Sequence, residues 1–374
     1  MWSIALKTLI ADRGKLLTAL VGVLFSVALV NVQGGLFFGL IRKAGMLVDC
    51  GQADIWVGHR KMHNVDLPRD IPQRWLDRVR TVPGVKRAEP YIVGVASMTL
   101  PSGGYEDVEV VGVEPGSLLG NAWNLTQGTP DCILQSDGIV IDECEYEKLE
   151  RPQIGDLREL GGRRARVVGT SRGIMGFLIM PYVFTTLERA KAYLHKRDDV
   201  CSYFLVQTEP GADAETVCTA IRQRVPELDS YPREQYSQIS KNYWMTRTGL
   251  GISFGAATLL GLLVGLIVVA QTLYALVLDR LGEFGTLKAI GASERQIYAI
   301  LLVQAMSMAV VGAVLGMAVV AIIQYAYHTP MAPIVIARWL SWGSCGLVLL
   351  ICLVASALPY LRIRKLDPLM VLQS

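Results

Sequence analysis

Hydrophobic positions in this chain gather into four uninterrupted blocks. Leu16–Ile41, Thr248–Leu278, Gln296–Tyr327 and Trp339–Leu361 hold no Asp, Glu, Lys or Arg. About 20 apolar residues cross a bilayer as a helix, so 16–41, 248–278, 296–327 and 339–361 are each long enough to span it. At 1.5 Å per residue the first two blocks would extend about 39 and 46 Å, against a hydrocarbon core of about 30 Å. Tilt absorbs part of that excess. Alternatively, both helices project past the outer leaflet and carry the segment between them on a stalk. The polar remainder is then a domain at 42–247, connections at 279–295 and 328–338, and a tail at 362–374. Residues 1–15 put Trp2, Ala5, Leu6, Leu9 and Ile10 on one helical face, away from Lys7, Asp12 and Arg13. That pattern predicts a helix lying at the membrane interface, or an extension of the first span.

Within 42–247 the period shifts repeatedly between 2 and 3.6. "ADIWVG", "AEPYIVGVASMTL", "YEDVEVVGVEP", "RRARVVGTS" and "CSYFLVQTE" read as strands, the second and third joined by a "PSGG" turn. "IPQRWLDRVRTV", with Ile71, Trp75, Val79 and Val82 on one face, "TLERAKAYLHKR" and "DAETVCTAIRQRV" read as helices. Two strand–helix–strand groups suggest a mixed α+β domain with two related halves. The Gly-rich stretch 114–165 reads as a separate small β subdomain. The fold class is thus an α-helical membrane protein with four transmembrane helices and a mixed α+β extracytoplasmic domain.

Charge sharpens the division. Of 374 residues, 52% are hydrophobic and 18% charged, and 54 of the 69 charged residues fall in 42–247. Orientation follows the basic residues at the span ends. Lys7, Arg13 and Lys15 precede the first span, Arg280, Lys288 and Arg295 lie between the second and third, and Arg362, Arg364 and Lys365 follow the fourth. The connection 328–338 has only Arg338. Both termini and 279–295 are expected in the cytoplasm, with the domain outside. Arg42 and Lys43 oppose this, but long domains translocate largely regardless of charge. The first block exceeds a 7–15-residue signal-peptide core and lacks a small-residue cleavage site, so it reads as a retained anchor.

Chemistry is notable for what is missing. The near-balanced charge of the domain argues against nucleic acid as a partner. No ionisable group lies deep in any span, which argues against a channel or secondary transporter. The few span amides (Asn31, Gln33, Gln271, Gln304, Gln324) are expected to bond between helices. No G-x-x-x-x-G-K-[ST], H-E-x-x-H or G-x-S-x-G occurs, so no catalytic residue, bound cofactor or metal ligand is assigned to this chain. His59 and His63, four apart in a Gly- and Pro-bounded segment, fall short of a metal site. Five cysteines (Cys50, Cys132, Cys144, Cys201, Cys218) lie in the domain; an odd number cannot all pair, and small buried hydrophobes are the favoured reading. Three spans carry G-x-x-x-G, at Gly35–Gly39, Gly261–Gly265 and Gly312–Gly316, a spacing that lets helix backbones approach closely in lipid.

The connection 279–295 is too polar for lipid and too short for a domain. Glu283, Leu287 and Ile290 recur at near-helical spacing, Gly291 breaks the pattern, and Ser293 precedes the next span as a cap would. A short helix and a glycine turn make a knob. An ordinary helical hairpin has the same composition.

"RLGEFGTLKAIGASERQI" resembles the R-x-x-E-[IF]-G-x-x-[KR]-A-[IL]-G-A-[ST]-x-x-x-[IV] pattern of MacB/FtsX-type ABC permeases. The order of one span, a large outside domain, three spans and a basic tail with Asp367–Pro368 is similar too. The opening "LKTLIADRGKLLTALVGVLFSVALVNVQGGLF" looks most like the DevC-type branch, whose relatives work in glycolipid export. The resemblance implies a MacB-like periplasmic core domain and a homodimer in the bacterial inner membrane. It also implies two copies of an ABC ATPase that bind ATP and Mg in this chain's stead. It makes Glu283, Phe284, Leu287, Lys288, Ala289, Gly291 and Ala292 the coupling helix. DevC-like members add a periplasmic adaptor and an outer-membrane channel, and membrane lipids surround the spans. The implied function is mechanotransmission, in which ATP hydrolysis by the partner moves the periplasmic domain to export a lipid, glycolipid or other amphiphile. An FtsX-like scaffold that activates a cell-wall hydrolase is the rival, and a receptor without an ATPase the third reading.

Overall fold

The computed structural model describes residues 11–279, 282, 283, 286, 290–326 and 335–364. In chain order its elements are α1 (Arg13–Lys43), α2 (Met46–Asp49), β1 (Ile55–His59), β2 (Ile71–Pro72), α3 (Leu76–Arg80), β3 (Val85–Thr99), β4 (Tyr105–Val113), β5 (Leu125–Gln127), β6 (Gly138–Asp142), β7 (Leu157–Leu160), β8 (Arg163–Ser171), β9 (Tyr182–Thr186), α4 (Leu187–Tyr193), β10 (Val200–Cys201), β11 (Tyr203–Thr208), α5 (Ala214–Arg224), β12 (Leu228–Pro232), α6 (Arg233–Arg247), α7 (Leu250–Asp279), α8 (Glu294–Ala326) and α9 (Arg338–Arg364). They form two units, one holding the residues before Leu40 and after Leu250, the other Leu40–Leu250.

The first unit is helical. α1, α7, α8 and α9 each contain a stretch long and apolar enough to cross a membrane. Their common core is built from small and medium side chains such as Ala19, Val23, Val27, Ala305, Ala309 and Ala355. Small residues are what lets helices associate in lipid, where burying hydrophobic surface gives no advantage over the acyl chains. Large apolar side chains point away from that core, Leu260, Ile267, Val314 and Ile322 among them. Asn31 reaches across from α1 to α9, donating to Ser344 Oγ at 2.7 Å. Residues 1–10 of the expected interfacial helix lie outside the described residues. From Arg13 the chain is already α1, so at least that part extends the first span.

The second unit is one large sheet with helices against it. The strand order is β12-β1-β11-β3-β4-β9-β6-β8-β5, with β7 bridging β3 and β8. β3 is the joint. Val85–Tyr91 pair with β11, while Ile92–Thr99 pair with β4. One strand thereby serves both halves of the sheet. α3 and α5 cover a core containing Ile55, Phe204 and Ile221. α4 covers another, with Ile92, Val110 and Val183. Between these lies a core centred on Trp56, whose ring meets Tyr91, Tyr203 and Tyr236 at centroid distances of 5.5, 5.3 and 5.8 Å.

Three expectations are corrected. The stretch 114–165 is not a separate subdomain: β5, β6 and β7 are strands of the same sheet, with β6 parallel to β8. "IPQRWLDRVRTV" is helical only late. Ile71 and Pro72 pair with β10, a 3₁₀ turn follows, and α3 has five residues. The span expected from Thr248 begins at Leu250. Thr248 ends α6 by donating its hydroxyl to the Trp244 carbonyl, and Gly249, at φ +66°, separates two helices. An L-residue resists that backbone conformation, which glycine adopts freely.

All seven cysteines are free. Burial pushes the Cys201 and Cys218 thiols up to about 12, so they stay protonated and act as small hydrophobes. His59 and His63 stand 6.4 Å apart by ring centroid, and no cluster of metal-ligating side chains occurs among the described residues.

Candidate functional site

The connection between α7 and α8 is organised at both ends. α7 finishes at Asp279, whose carboxylate pairs with Lys15 of α1. Lys15 also pairs with Asp12 at 3.3 Å. The ends of the first two spanning helices are thus tied beside the connection. Beyond it, Ile290 donates its N–H to the Thr286 carbonyl at 3.0 Å, and Gly291 turns the chain at φ +97°. A Cβ on Gly291 would meet no atom within 4 Å, so the demand for glycine is conformational rather than steric.

α8 then starts with a reciprocal cap. Ser293 Oγ accepts from the Gln296 N–H at 3.4 Å, and Gln296 Oε1 accepts from the Ser293 N–H at 2.9 Å. That is the capping-box arrangement, worth about 1 kcal/mol of helix stability. The Ser-x-x-Gln spacing announces it in the sequence.

Of the expected coupling residues, Glu283 is exposed, Gly291 forms the turn and Ala292 follows it half-buried. Phe284, Leu287, Lys288 and Ala289 lie outside the described residues. Ile290 was not among those expected, yet its side chain is 85% exposed at the tip. One exposed aliphatic group is ordinary on a protein surface; Ile290 is of interest for its place beside the Gly291 turn of this connection.

The glycine motifs divide by position. On α7, a Cβ at Gly261 would lie 2.1 Å from Leu29 of α1, and one at Gly265 2.0 Å from Ser26. Ser26 Oγ donates to the Gly261 carbonyl at 3.0 Å. On α8, Gly312 and Gly316 face Val23 and Val27 of the same α1 at 2.6 and 2.9 Å. These four glycines seat α1 between α7 and α8 inside one protomer. On α1, Gly35 and Gly39 are buried, and the Gly35 carbonyl accepts from Val335 N–H at 3.1 Å.

Membrane-length helices joined to an α+β domain between the first and second define a multi-span membrane protein with an extracellular domain. The MacB-like periplasmic core domain matches residues 16–224, and the FtsX-like permease C-terminal domain matches 255–368. The chain belongs to the MacB/FtsX-type family of ABC transporter permeases. It is 24% identical over 199 residues to an uncharacterized ABC transporter permease of Methanocaldococcus jannaschii. The match takes in 51% of this chain and 49% of that one, so the chain spans about half the length of the curated relative it matches. Among solved structures it is similar to the periplasmic region of MacB from Actinobacillus actinomycetemcomitans, at 10% identity and TM-score 0.39, over 51% of this chain and 94% of that one. It is also similar to the extracellular domain of the noncanonic ABC-type transporter YknZ from Gram-positive bacteria. There the identity is 15% and the TM-score 0.37, over 47% of this chain and 98% of that one.

Proposed function

We propose that the chain is the non-catalytic permease subunit of an ATP-driven exporter, and that 279–295 is where its ATPase docks. The carrying observation is the connection itself: a capped, glycine-turned element with Ile290 exposed at its tip, on a chain without a nucleotide-binding motif. ATP and Mg bind to two copies of the partner, which press on the elbows of a homodimer. The glycine contacts described above are spent within the protomer, so the dimer face lies elsewhere. Displacement of the elbow reaches the domain along α7, which follows α6 in the chain. Both termini are cytoplasmic in the inner membrane, and the domain works in the periplasm with an adaptor and an outer-membrane channel. The DevC-like resemblance makes the cargo a lipid, glycolipid or other amphiphile.

Purification of the full chain with and without the ABC ATPase that accompanies it tests this reading. Turnover is expected only in the complex. ATP hydrolysis by the chain alone contradicts it, and capture of a cell-wall hydrolase in place of an adaptor contradicts the export function.

A further inference from the structure

Four carboxyl groups are buried in the domain core. Asp142 accepts from Cys144, Ser171 and Ile174, and Glu145 pairs with Lys148, whereas Asp66 and Glu109 have no ion pair among the described residues. Asp66 is 2% exposed and Glu109 is fully buried. Asp66 Oδ2 accepts from Trp244 Nε1 at 2.8 Å, while Asp66 Oδ1 and both Glu109 carboxyl oxygens are buried without a hydrogen-bond partner. Such atoms are rare in folded proteins and call for a reason.

Several elements converge on the pair. Glu109 on β4 stands directly opposite Tyr182 on β9. The connection between β8 and β9, pinched by an antiparallel bridge between Met175 and Pro181, passes over Glu109 and Tyr182. A Cβ on its Gly176 would lie 2.6 Å from the Tyr182 hydroxyl and 3.1 Å from Glu109 Oε2, so the backbone itself lids the site. The next residue, Phe177, stacks on Trp244 with ring centroids 4.1 Å apart. Two residues on, Ile179 sits at φ +55°, a conformation that costs a β-branched residue about 1–3 kcal/mol and persists where its surroundings impose it. Trp244 belongs to the last turn of α6, just before Gly249 and α7.

The groups facing the pair are phenols: Tyr182 from β9, Tyr91 from β3, Tyr203 from β11 and Tyr236 from α6. Burial holds all four neutral, well above their ordinary range. Lys43 and Lys148 reach the hairpin at other points, Met175 Sδ (2.7 Å) and the Ile179 carbonyl (3.4 Å).

We propose that Asp66 and Glu109 form a buried proton-binding pair that latches the last turn of α6 to the domain core through Trp244. With protons bound, the carboxyl groups are neutral and tolerate burial under the Gly176–Phe177 lid. Proton loss leaves charge in an apolar core, a cost that outweighs the stronger bond a carboxylate makes to the Trp244 N–H, and the end of α6 is released to let water reach it. The titration agrees with the geometry. Burial pushes Asp66 up to about 7, against the pull of its contacts with Trp244 and Tyr182. Burial first, and the Asp66 charge second, push Glu109 well above the carboxylate range. The Tyr182 hydroxyl opposes that rise, without hydrogen-bond geometry to Glu109.

Both groups bind protons more tightly folded than unfolded. The stability they contribute is full below the ordinary carboxylate range and falls as pH rises, through about 7 for Asp66 and through the raised range of Glu109. Each proton held only by the folded state makes the unfolding constant rise about tenfold per pH unit.

The test uses the full chain in nanodiscs, labelled with 5-fluorotryptophan, the Trp244 resonance being assigned by its loss in W244F. Between pH 5.5 and 9.5 that resonance should move in the native chain and hold its acidic position in D66N, whose amide oxygen still accepts from Trp244. E109Q decides if D66N does not fold. Its denaturation midpoint should lose about one proton's share of the pH slope between 5.5 and 7. A pH-independent Trp244 signal in the native chain, an identical shift in D66N, or an unchanged slope in E109Q would overturn the proposal.

Discussion

A methyl group at position 265 would sit 2.0 Å from Ser26 Oγ, the same hydroxyl that donates to the Gly261 carbonyl. Overpacking of this kind costs about 1–3 kcal/mol. Gly265→Leu should therefore lower the thermal midpoint of the purified chain by several degrees, while Gly343→Leu, where a Cβ meets nothing within 4 Å, leaves it unchanged. Equal effects would mean that the α1–α7 contact is not what glycine protects. Gly291 makes the opposite case. It has room, but φ +97° penalises a β-branched side chain by about 1–2 kcal/mol. On the docking account, Gly291→Val should insert normally yet lower the ratio of transport to ATP hydrolysed several-fold. Gly291→Asn, better suited to a left-handed backbone, should recover much of the loss. Normal coupling in the valine variant would remove the turn from the mechanism.

At the scale of elements, the sequence was most readable where side chains are aliphatic. The four apolar blocks and the α1, α7, α8 and α9 helices coincide to within three residues at every end. β3, β4, β8 and β11 show period-2 apolar runs and are strands. α6 left no such trace. Its buried stripe is Tyr236, Ser237, Ser240 and Trp244, which hydropathy scores as polar. Three of the four find partners: Tyr236 donates to the Asn64 carbonyl at 2.7 Å, Ser240 to that of Ala44 at 2.6 Å and Trp244 to Asp66 at 2.8 Å. β5, β6 and β7 were misread as a subdomain because their partners are distant in sequence, and no local pattern reports such pairing. The elbow was legible from Gly291 and Ser293, whereas the exposure of Ile290 needed the turn's direction. Element-level capping is testable too. Ser293→Ala should destabilise α8 by about 1 kcal/mol, read as a lower thermal midpoint, with Gln296→Ala costing less. No shift in either would remove the cap from the energetics.

Across the whole molecule, a helical unit with no buried charge among the described residues is joined to a domain whose core carries Asp66 and Glu109 as an unpaired carboxyl couple. On the proposed function, energy enters at the elbow and is used in the domain. The chain offers no nucleotide-binding motif of its own, so the elbow is the point on which everything else rests. The most direct measurement places a photo-crosslinking amino acid at position 290 in the assembled, ATP-hydrolysing complex. A second chain carries it at position 325, where Tyr325 is 92% exposed at the far end of α8. The account predicts a covalent adduct between residue 290 and the ATPase subunit, and none from 325. An active complex in which residue 290 fails to capture the ATPase, while other cytoplasmic positions do, would contradict it.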